Sequence, residues 1–213
     1  MELGVNLAVE DFSIALTEEG SHVASMSLAK AYLFSENLMH YIDLLCTNVG
    51  KSYTDIKAIG VVNGPGSYTG LRLSVAQCKT IASILNCPLY GIDTFDVILD
   101  QAPKLTSLIA VIIPARKREV NLKLAKTIDC PEWLTDEFMS VKYDKLEQFF
   151  LDFSEPITVV GALDGIDSIS GKHTLLPASV SAEFVSKRAY RYLEQGEKGN
   201  YLKVLPKYSH QAV

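Results

Sequence analysis

The sequence predicts an α/β fold with mixed β-sheets, built as two domains. Short apolar runs suited to buried strands alternate with segments of helical periodicity, which is the pattern of α/β proteins. The same order of elements occurs in both halves of the chain: an antiparallel meander, then alternating helices and strands. A polar, proline-containing segment at 101–106, QAPKLT, separates the halves. We therefore expect one domain at 1–103 and a second at 104–213.

The first half begins with a predicted meander of three strands, at Leu3–Val9, Phe12–Thr17 and His22–Ser27. A helix is predicted over Ser35–Val49, because its apolar residues recur at helical spacing, Ser35 suits an N-cap and Gly50 suits a stop. A strand, a helix, a strand and a helix complete this half, at Lys57–Val62, Gly70–Leu85, Leu89–Ile92 and Thr94–Asp100.

The second half repeats this order. Three strands are predicted first, at Leu108–Ile113, Val120–Lys126 and Phe138–Lys142. A helix, a strand and a helix follow, at Lys145–Phe153, Ile157–Val160 and Ser181–Leu193.

The segment 60–72, GVVNGPGSYTGLR, leads from an apolar strand through a glycine-rich loop into a helix. Loops of this kind often cradle phosphate, but this one matches neither phosphate-binding template. A Walker A loop needs a lysine after its last glycine, and the spacing of Gly64, Gly66 and Gly70 is one residue too long for the dinucleotide fingerprint. We therefore attribute the glycines to close approach of backbones. Ser67 or Thr69 is predicted to cap the helix.

Arg72 stands near the start of this helix, where the positive end of the helix dipole disfavours a cation. Three groups would offset that cost: a carboxylate of this chain, a carboxylate of a partner, or a phosphate. Beyond Arg72 the helix carries an apolar face, as does the helix at Ser35–Val49. Two such helices either complete a core or present a groove to a partner, and the sequence leaves both alternatives open.

Composition excludes several classes of function. The net charge of −5 over 213 residues argues against a chain that binds polyanions as a whole. No apolar stretch is long enough to span a bilayer and the N-terminus lacks the basic segment of a signal peptide, so we expect a cytoplasmic protein. The four histidines are widely separated and no protease or hydrolase motif is present, so we predict no catalytic residue, metal or cofactor.

Several segments together resemble the TsaB (YeaZ) family of bacterial tRNA-modification proteins. The most specific is NGPGSYTGLRLSVAQCKTIA at 63–82. Other pieces are similar to that family in the same order: FSENLMHYID at 34–43, PARKREV at 114–120, PASVSA at 177–182 and LPKY at 205–208. The resemblance implies two actin-like (ASKHA, RNase-H-like) domains, which agrees with the two predicted halves.

The resemblance also implies a function in making threonylcarbamoyladenosine, the modified adenosine beside the anticodon of some tRNAs. In that pathway a TsaB-like protein is a non-catalytic subunit that binds and supports a TsaD-type transferase, and a TsaE-type ATPase joins the complex. We expect the isolated chain to form a homodimer through the same apolar surface, and any contact with tRNA to be indirect. The expected partner-binding residues are Leu38, Met39, Ile42, Leu45, Gly64, Gly66, Ser67, Tyr68, Thr69, Gly70, Arg72 and Val75.

The chain departs from the family pattern in its first strand, LGVNLAV at 3–9. The family carries an aspartate and hydroxyl residues there, which in actin-like ATPases serve Mg²⁺ and phosphate; this chain has Asn6, Leu7 and Val9. Phe34 replaces a histidine, and Pro114 replaces an aspartate. Two alternative functions stay open.

The first alternative is a weak ATPase or phosphotransferase of the actin-like superfamily, against which Asn6 argues because magnesium favours carboxylates. The second is a free-standing RNA-binding module that uses the basic, tyrosine-containing tail from Lys187 onward. The negative charge of the whole chain argues against this second alternative.

Overall fold

The computed structural model describes residues 1–9, 12–29, 37–103, 105–115, 118–127, 131–163, 166, 169 and 172–208. The elements are, in chain order, β1 (Glu2–Asn6), β2 (Phe12–Glu18), β3 (Ser21–Leu28), α1 (Leu38–Asn48), a 3-10 turn (Tyr53–Asp55), β4 (Ala58–Gly64), α2 (Tyr68–Leu85), β5 (Leu89–Asp93), α3 (Thr94–Gln101), β6 (Leu108–Pro114), β7 (Glu119–Lys126), β8 (Glu132–Trp133), β9 (Met139–Lys142), α4 (Tyr143–Leu151), β10 (Ile157–Gly161), β11 (Thr174–Pro177) and α5 (Ala182–Glu194).

The chain divides into two compact units, Met1–Val97 with Val180–Val213, and Ile98–Ser179. The division predicted at residues 103 and 104 assigned 180–213 to the second domain, whereas the structure groups this segment with the first unit. The reason is the apolar face of α5, which packs on β1, β2 and β4 and buries Val185 and Ala189. An amphipathic pattern shows that a helix has a face to bury, but it does not show which sheet receives that face.

The sheet of the first unit has the strand order β3-β2-β1-β4-β5. The meander β1-β2-β3 is antiparallel, and β4 and β5 add to β1 in parallel, so the sheet is mixed. One face packs against α1 and α2 in a core that includes Leu3, Ile42 and Val75. On β1, a Cβ at Gly4 would lie 2.1 Å from the carbonyl oxygen of Ala182, so glycine is what allows α5 to approach β1.

The sheet of the second unit repeats this topology. β6 pairs antiparallel with β7, which pairs with β8 and β9, while β10 and β11 add in parallel on the other side of β6. Leu146 and Phe150 of α4 belong to the core of this sheet. The repeated order of elements, expected from the sequence, is therefore also a repeated strand order. The fold prediction of two mixed-sheet α/β domains is confirmed.

Most predicted elements lie where the sequence places them, with differences at β1, β8 and β11. β1 ends at Asn6 instead of Val9, because the Asn6 side chain bonds to the next residues and turns the chain. β8 and β11 were not predicted; both are short. Phe34 and the proposed cap Ser35 lie outside the described residues.

In the part of the chain that the structure describes, no helix is both long and apolar enough to cross a membrane.

Candidate functional site

The loop that joins β4 to α2 packs against the chain that leaves β1. The backbone N–H of Ser67 donates to the carbonyl of Ala8 over 2.6 Å. The Ser67 hydroxyl accepts from the backbone N–H of Gly70 over 3.3 Å and so caps α2. Of the two capping candidates in the sequence, Ser67 is the N-cap.

The three loop glycines have a structural explanation inside this unit. A Cβ at Gly70 would lie 1.9 Å from the carbonyl oxygen of Leu7, and one at Gly66 would lie 2.4 Å from that of Ala8. Gly64 has φ +125°, and a Cβ there would lie 2.1 Å from the carbonyl oxygen of Lys207. The expectation that these glycines allow close backbone approach is therefore confirmed for contacts within the chain. Their contribution to partner binding stays a prediction.

Asn6 holds the turn after β1 with both halves of its amide. Its Oδ1 accepts from the N–H of Ala8 over 2.9 Å. Its Nδ2 donates to the carbonyl of Val9 over 3.3 Å and to the carbonyl of Val180 over 3.0 Å, just before α5. A carboxylate cannot donate these bonds. The Asn6 amide is thus a structural link between β1 and the residues just before α5.

The apolar residues expected to bind a partner fall into two groups. Leu38, Ile42, Leu45 and Val75 are buried in the core of the first unit, where they anchor α1 and α2 to the sheet. Met39 is different, because 44% of its surface is exposed. The side chains available to a partner are therefore fewer than the sequence suggests.

An apolar groove lies between α1, the 3-10 turn and α2; we call it the helix groove. It encloses about 240 Å³ and is lined by Leu38, Met39, Tyr53, Gln77, Thr80, Ile81, Ile84 and Leu85. Ile84 is 75% exposed. The sequence prediction missed Tyr53 and Ile84. The signal for Ile84 was present, since this isoleucine lies off the buried stripe of α2 that runs through Cys78, Ile81 and Ala82.

Arg72 lies on the exposed side of α2, one turn after Tyr68. Its Nη1 donates to the Tyr68 hydroxyl over 2.9 Å, and its guanidinium carbon lies 5.2 Å from the centre of the Tyr68 ring. The ring of Tyr208 packs on Tyr68 at 4.9 Å between centroids. Within the described residues no carboxylate lies within 4.0 Å of Arg72, so an internal ion pair does not offset its charge there.

The acidic and basic side chains near α3 and α5 have structural partners. Asp93 Oδ1 accepts from the N–H of Phe95 over 2.9 Å, and Arg188 pairs with Asp96 over 3.1 Å. Burial raises the pKa of the Asp93 carboxyl group, and the nearby Lys207 ammonium opposes that shift. Lys187 pairs with Glu183. Two of the basic residues considered for RNA binding are therefore engaged within the chain.

The repeated strand order, with a meander followed by two parallel strands, defines the class as a two-unit actin-like α/β protein. The family model described as TsaD: tRNA N6-adenosine threonylcarbamoyltransferase matches residues 29–181. This match covers more than half of the chain, and the chain belongs to that family.

Two curated relatives carry the same name. The chain is 27% identical over 118 residues to the tRNA threonylcarbamoyladenosine biosynthesis protein TsaB of Bacillus subtilis, covering 55% of this chain and 52% of that protein. It is 28% identical over 120 residues to the TsaB protein of Escherichia coli, with the same shares covered. The chain spans about half the length of these curated relatives.

The solved structure of YeaZ from Pseudomonas aeruginosa shows the same fold. The TM-score is 0.79 at 19% identity, over 97% of this chain and 98% of that one. The resemblance to the TsaB (YeaZ) family inferred from the sequence is confirmed by these comparisons, and so is the actin-like fold.

Proposed function

We propose that this chain is a non-catalytic subunit in the synthesis of threonylcarbamoyladenosine in tRNA, and that it binds and supports a TsaD-type transferase. Relatives named for this pathway support the process. The main support for the location of the binding site is the helix groove, where exposed Met39 and Ile84 border an apolar cavity. A large exposed apolar patch rimmed by polar residues is typical of a protein-protein interface.

In this proposal the partner covers the helix groove and the adjacent first turns of α2. Ile84 and Met39 enter an apolar surface of the transferase. Arg72, close to Tyr68 and Tyr208, pairs with a carboxylate of the partner, which supplies the anion that the described part of this chain does not supply. Ser67, Thr69 and Tyr68 are exposed beside it and complete the polar rim. In this proposal a TsaE-type ATPase is also part of the complex, which acts in the cytoplasm.

The test is co-purification with the TsaD-type protein of the same genome, with and without ATP. We expect Ile84→Lys to weaken the complex about tenfold or more, because it places a charge at the centre of an apolar interface. Arg72→Glu should weaken it as well, whereas Arg72→Lys should retain part of the affinity.

The matched control is Leu151→Lys, which changes an equally apolar side chain, 54% exposed, on α4 of the other unit. We expect this control to bind like the unchanged chain. Wild-type affinity of Ile84→Lys would place the interface elsewhere, and absence of any complex would refute the proposed subunit function.

The same groove supports self-association of the isolated chain, because without its partner the apolar surface remains exposed to water. We expect sedimentation velocity to show a concentration-dependent dimer, and Ile84→Lys to shift it toward monomer. A monomer at every concentration tested would contradict this prediction.

The absence of a carboxylate at position 6 supports a non-catalytic role over the ATPase alternative, since the Asn6 amide is engaged with the backbone.

A further inference from the structure

A basic pocket lies in the first unit, away from the helix groove. It has a volume of about 310 Å³ and lies between the carboxyl end of β4, the first residues of β5, the end of α5 and the segment 197–207. The residues that matter for its chemistry are Asn63, Tyr90, Tyr192, Lys198, Lys203 and Lys207. Nothing in the proposed subunit function uses this pocket, and the inference does not depend on that function.

The floor of the basic pocket contains an acceptor without a donor. Asn63 is 6% exposed, and its Nδ2 donates to the carbonyl of Leu205 over 3.2 Å. Its backbone carbonyl accepts from the N–H of Lys207 over 2.6 Å. Its Oδ1, however, is buried with no hydrogen-bond partner among the described residues. Buried acceptors are almost always paired, so this oxygen lacks the donor that such an acceptor usually has.

The rim of the pocket carries positive charge. Lys198 and Lys203 are exposed, and within the described residues neither ammonium group has a carboxylate within 4.0 Å. Lys207 shares its charge with Asp93 over 3.4 Å. Glu197, on the same segment, carries a negative charge that offsets part of this positive charge. The net field at the rim therefore attracts an anion, while the floor requires a donor.

Two tyrosines form one wall. The rings of Tyr90 and Tyr192 lie 5.5 Å apart between centroids, and the Tyr90 hydroxyl donates to the carbonyl of Glu197 over 2.9 Å. This bond ties the lysine-bearing segment to β5. The wall gives a base an aromatic surface to contact, and the cavity volume falls within the range of small-molecule sites.

From these features we infer that the basic pocket binds a nucleoside monophosphate. The phosphate lies between Lys198 and Lys203 at the rim. The nucleoside extends inward, where a hydroxyl or amino group donates to Asn63 Oδ1 and the base contacts Tyr192. The phosphate thus matches the positive charge of the rim, the donor group matches the unpaired acceptor, and the base matches the aromatic wall.

Isothermal titration of the whole chain with adenosine 5′-monophosphate tests this inference. We expect one equivalent to bind, with amide NMR shifts at Gly91 and Gly199 beside the pocket. Adenosine, which lacks the phosphate, and inorganic phosphate, which lacks the nucleoside, should each bind about tenfold more weakly or worse. Lys198→Glu and Lys203→Glu should each weaken binding of the monophosphate by a similar factor.

The matched control is Lys57→Glu. Lys57 is exposed just before the opposite end of β4, so this change alters the net charge equally without touching the pocket. It should leave the affinity unchanged. The inference is overturned if the monophosphate does not bind, if all three charge reversals weaken it equally, or if inorganic phosphate binds as tightly as the nucleotide.

Discussion

Asn6→Asp should destabilise the first unit by about 4 kcal/mol at neutral pH. The side chain at position 6 is 1% exposed and donates to the carbonyls of Val9 and Val180. An aspartate there retains the bond from the Ala8 N–H but directs a carboxylate oxygen at the two carbonyls. The variant therefore loses two hydrogen bonds and places like partial charges in contact, at a site that water cannot reach.

The loss should depend on pH in a defined direction. Burial against two carbonyls raises the pKa of the introduced carboxyl group above its unfolded value of about 4. Because the protonated form is the one the folded state tolerates, the variant is least impaired at low pH and loses stability as pH rises through the raised pKa. Denaturant unfolding at pH 5 and pH 8 measures this difference, and the deficit should be larger at pH 8.

Asn48→Asp is the matched control, because it makes the same substitution at the exposed end of α1. It should cost only about 0.5 kcal/mol, through the negative end of the helix dipole. A deficit for Asn6→Asp no larger than the control would show that the amide bonds carry little stability.

Gly70→Ala should destabilise the same unit by about 2 kcal/mol, against the usual effect of this substitution in a helix. At an open helical position, alanine is favoured over glycine by about 1 kcal/mol. At Gly70 the added methyl group would lie 1.9 Å from the carbonyl oxygen of Leu7, so the loop must move away from the chain leaving β1. The backbone carbonyl cannot rotate aside as a side chain would, and steric overlap should exceed the gain in helix propensity.

Hydrogen exchange of the amides in β1 and α2 measures this effect locally, with denaturant unfolding as the global readout. Thr69→Ala provides the control, since Thr69 precedes Gly70 in the first turn of α2 and is exposed. Its change should stay within about 0.5 kcal/mol. If Gly70→Ala were more stable than the unchanged chain, the loop would have room for a side chain. The presence of glycine at position 70 would then need a different explanation.

Local order was predictable from the sequence because it depends on neighbouring residues. Hydrophobic periodicity located α2 and β4, and the hydroxyl residues before the helix predicted a cap at Ser67 or Thr69, of which Ser67 is the one observed. The loop glycines predicted close backbone approach but not its target. For Gly66 and Gly70 that target is the carbonyl groups of Ala8 and Leu7, about 60 positions earlier, which β1 and β4 bring close by pairing in parallel.

The candidate interface was only partly predictable, because an apolar stripe has the same pattern whether it meets a core or a partner. Ile42 and Val75 share that pattern with Met39, yet packing buries the first two and leaves Met39 exposed. Ile84, which is more exposed still, is recognised as part of a groove only when α1 and the 3-10 turn are placed beside α2.

The sequence by itself therefore determined the class of fold, the repeated order of elements, the loop chemistry and the family, since these depend on residue type and spacing along the chain. Tertiary structure decided which apolar residues form the helix groove, that α5 packs with the first unit, and that Asn6 links β1 to Val180. These features depend on burial and on contacts between residues far apart in sequence, which spacing along one chain does not encode.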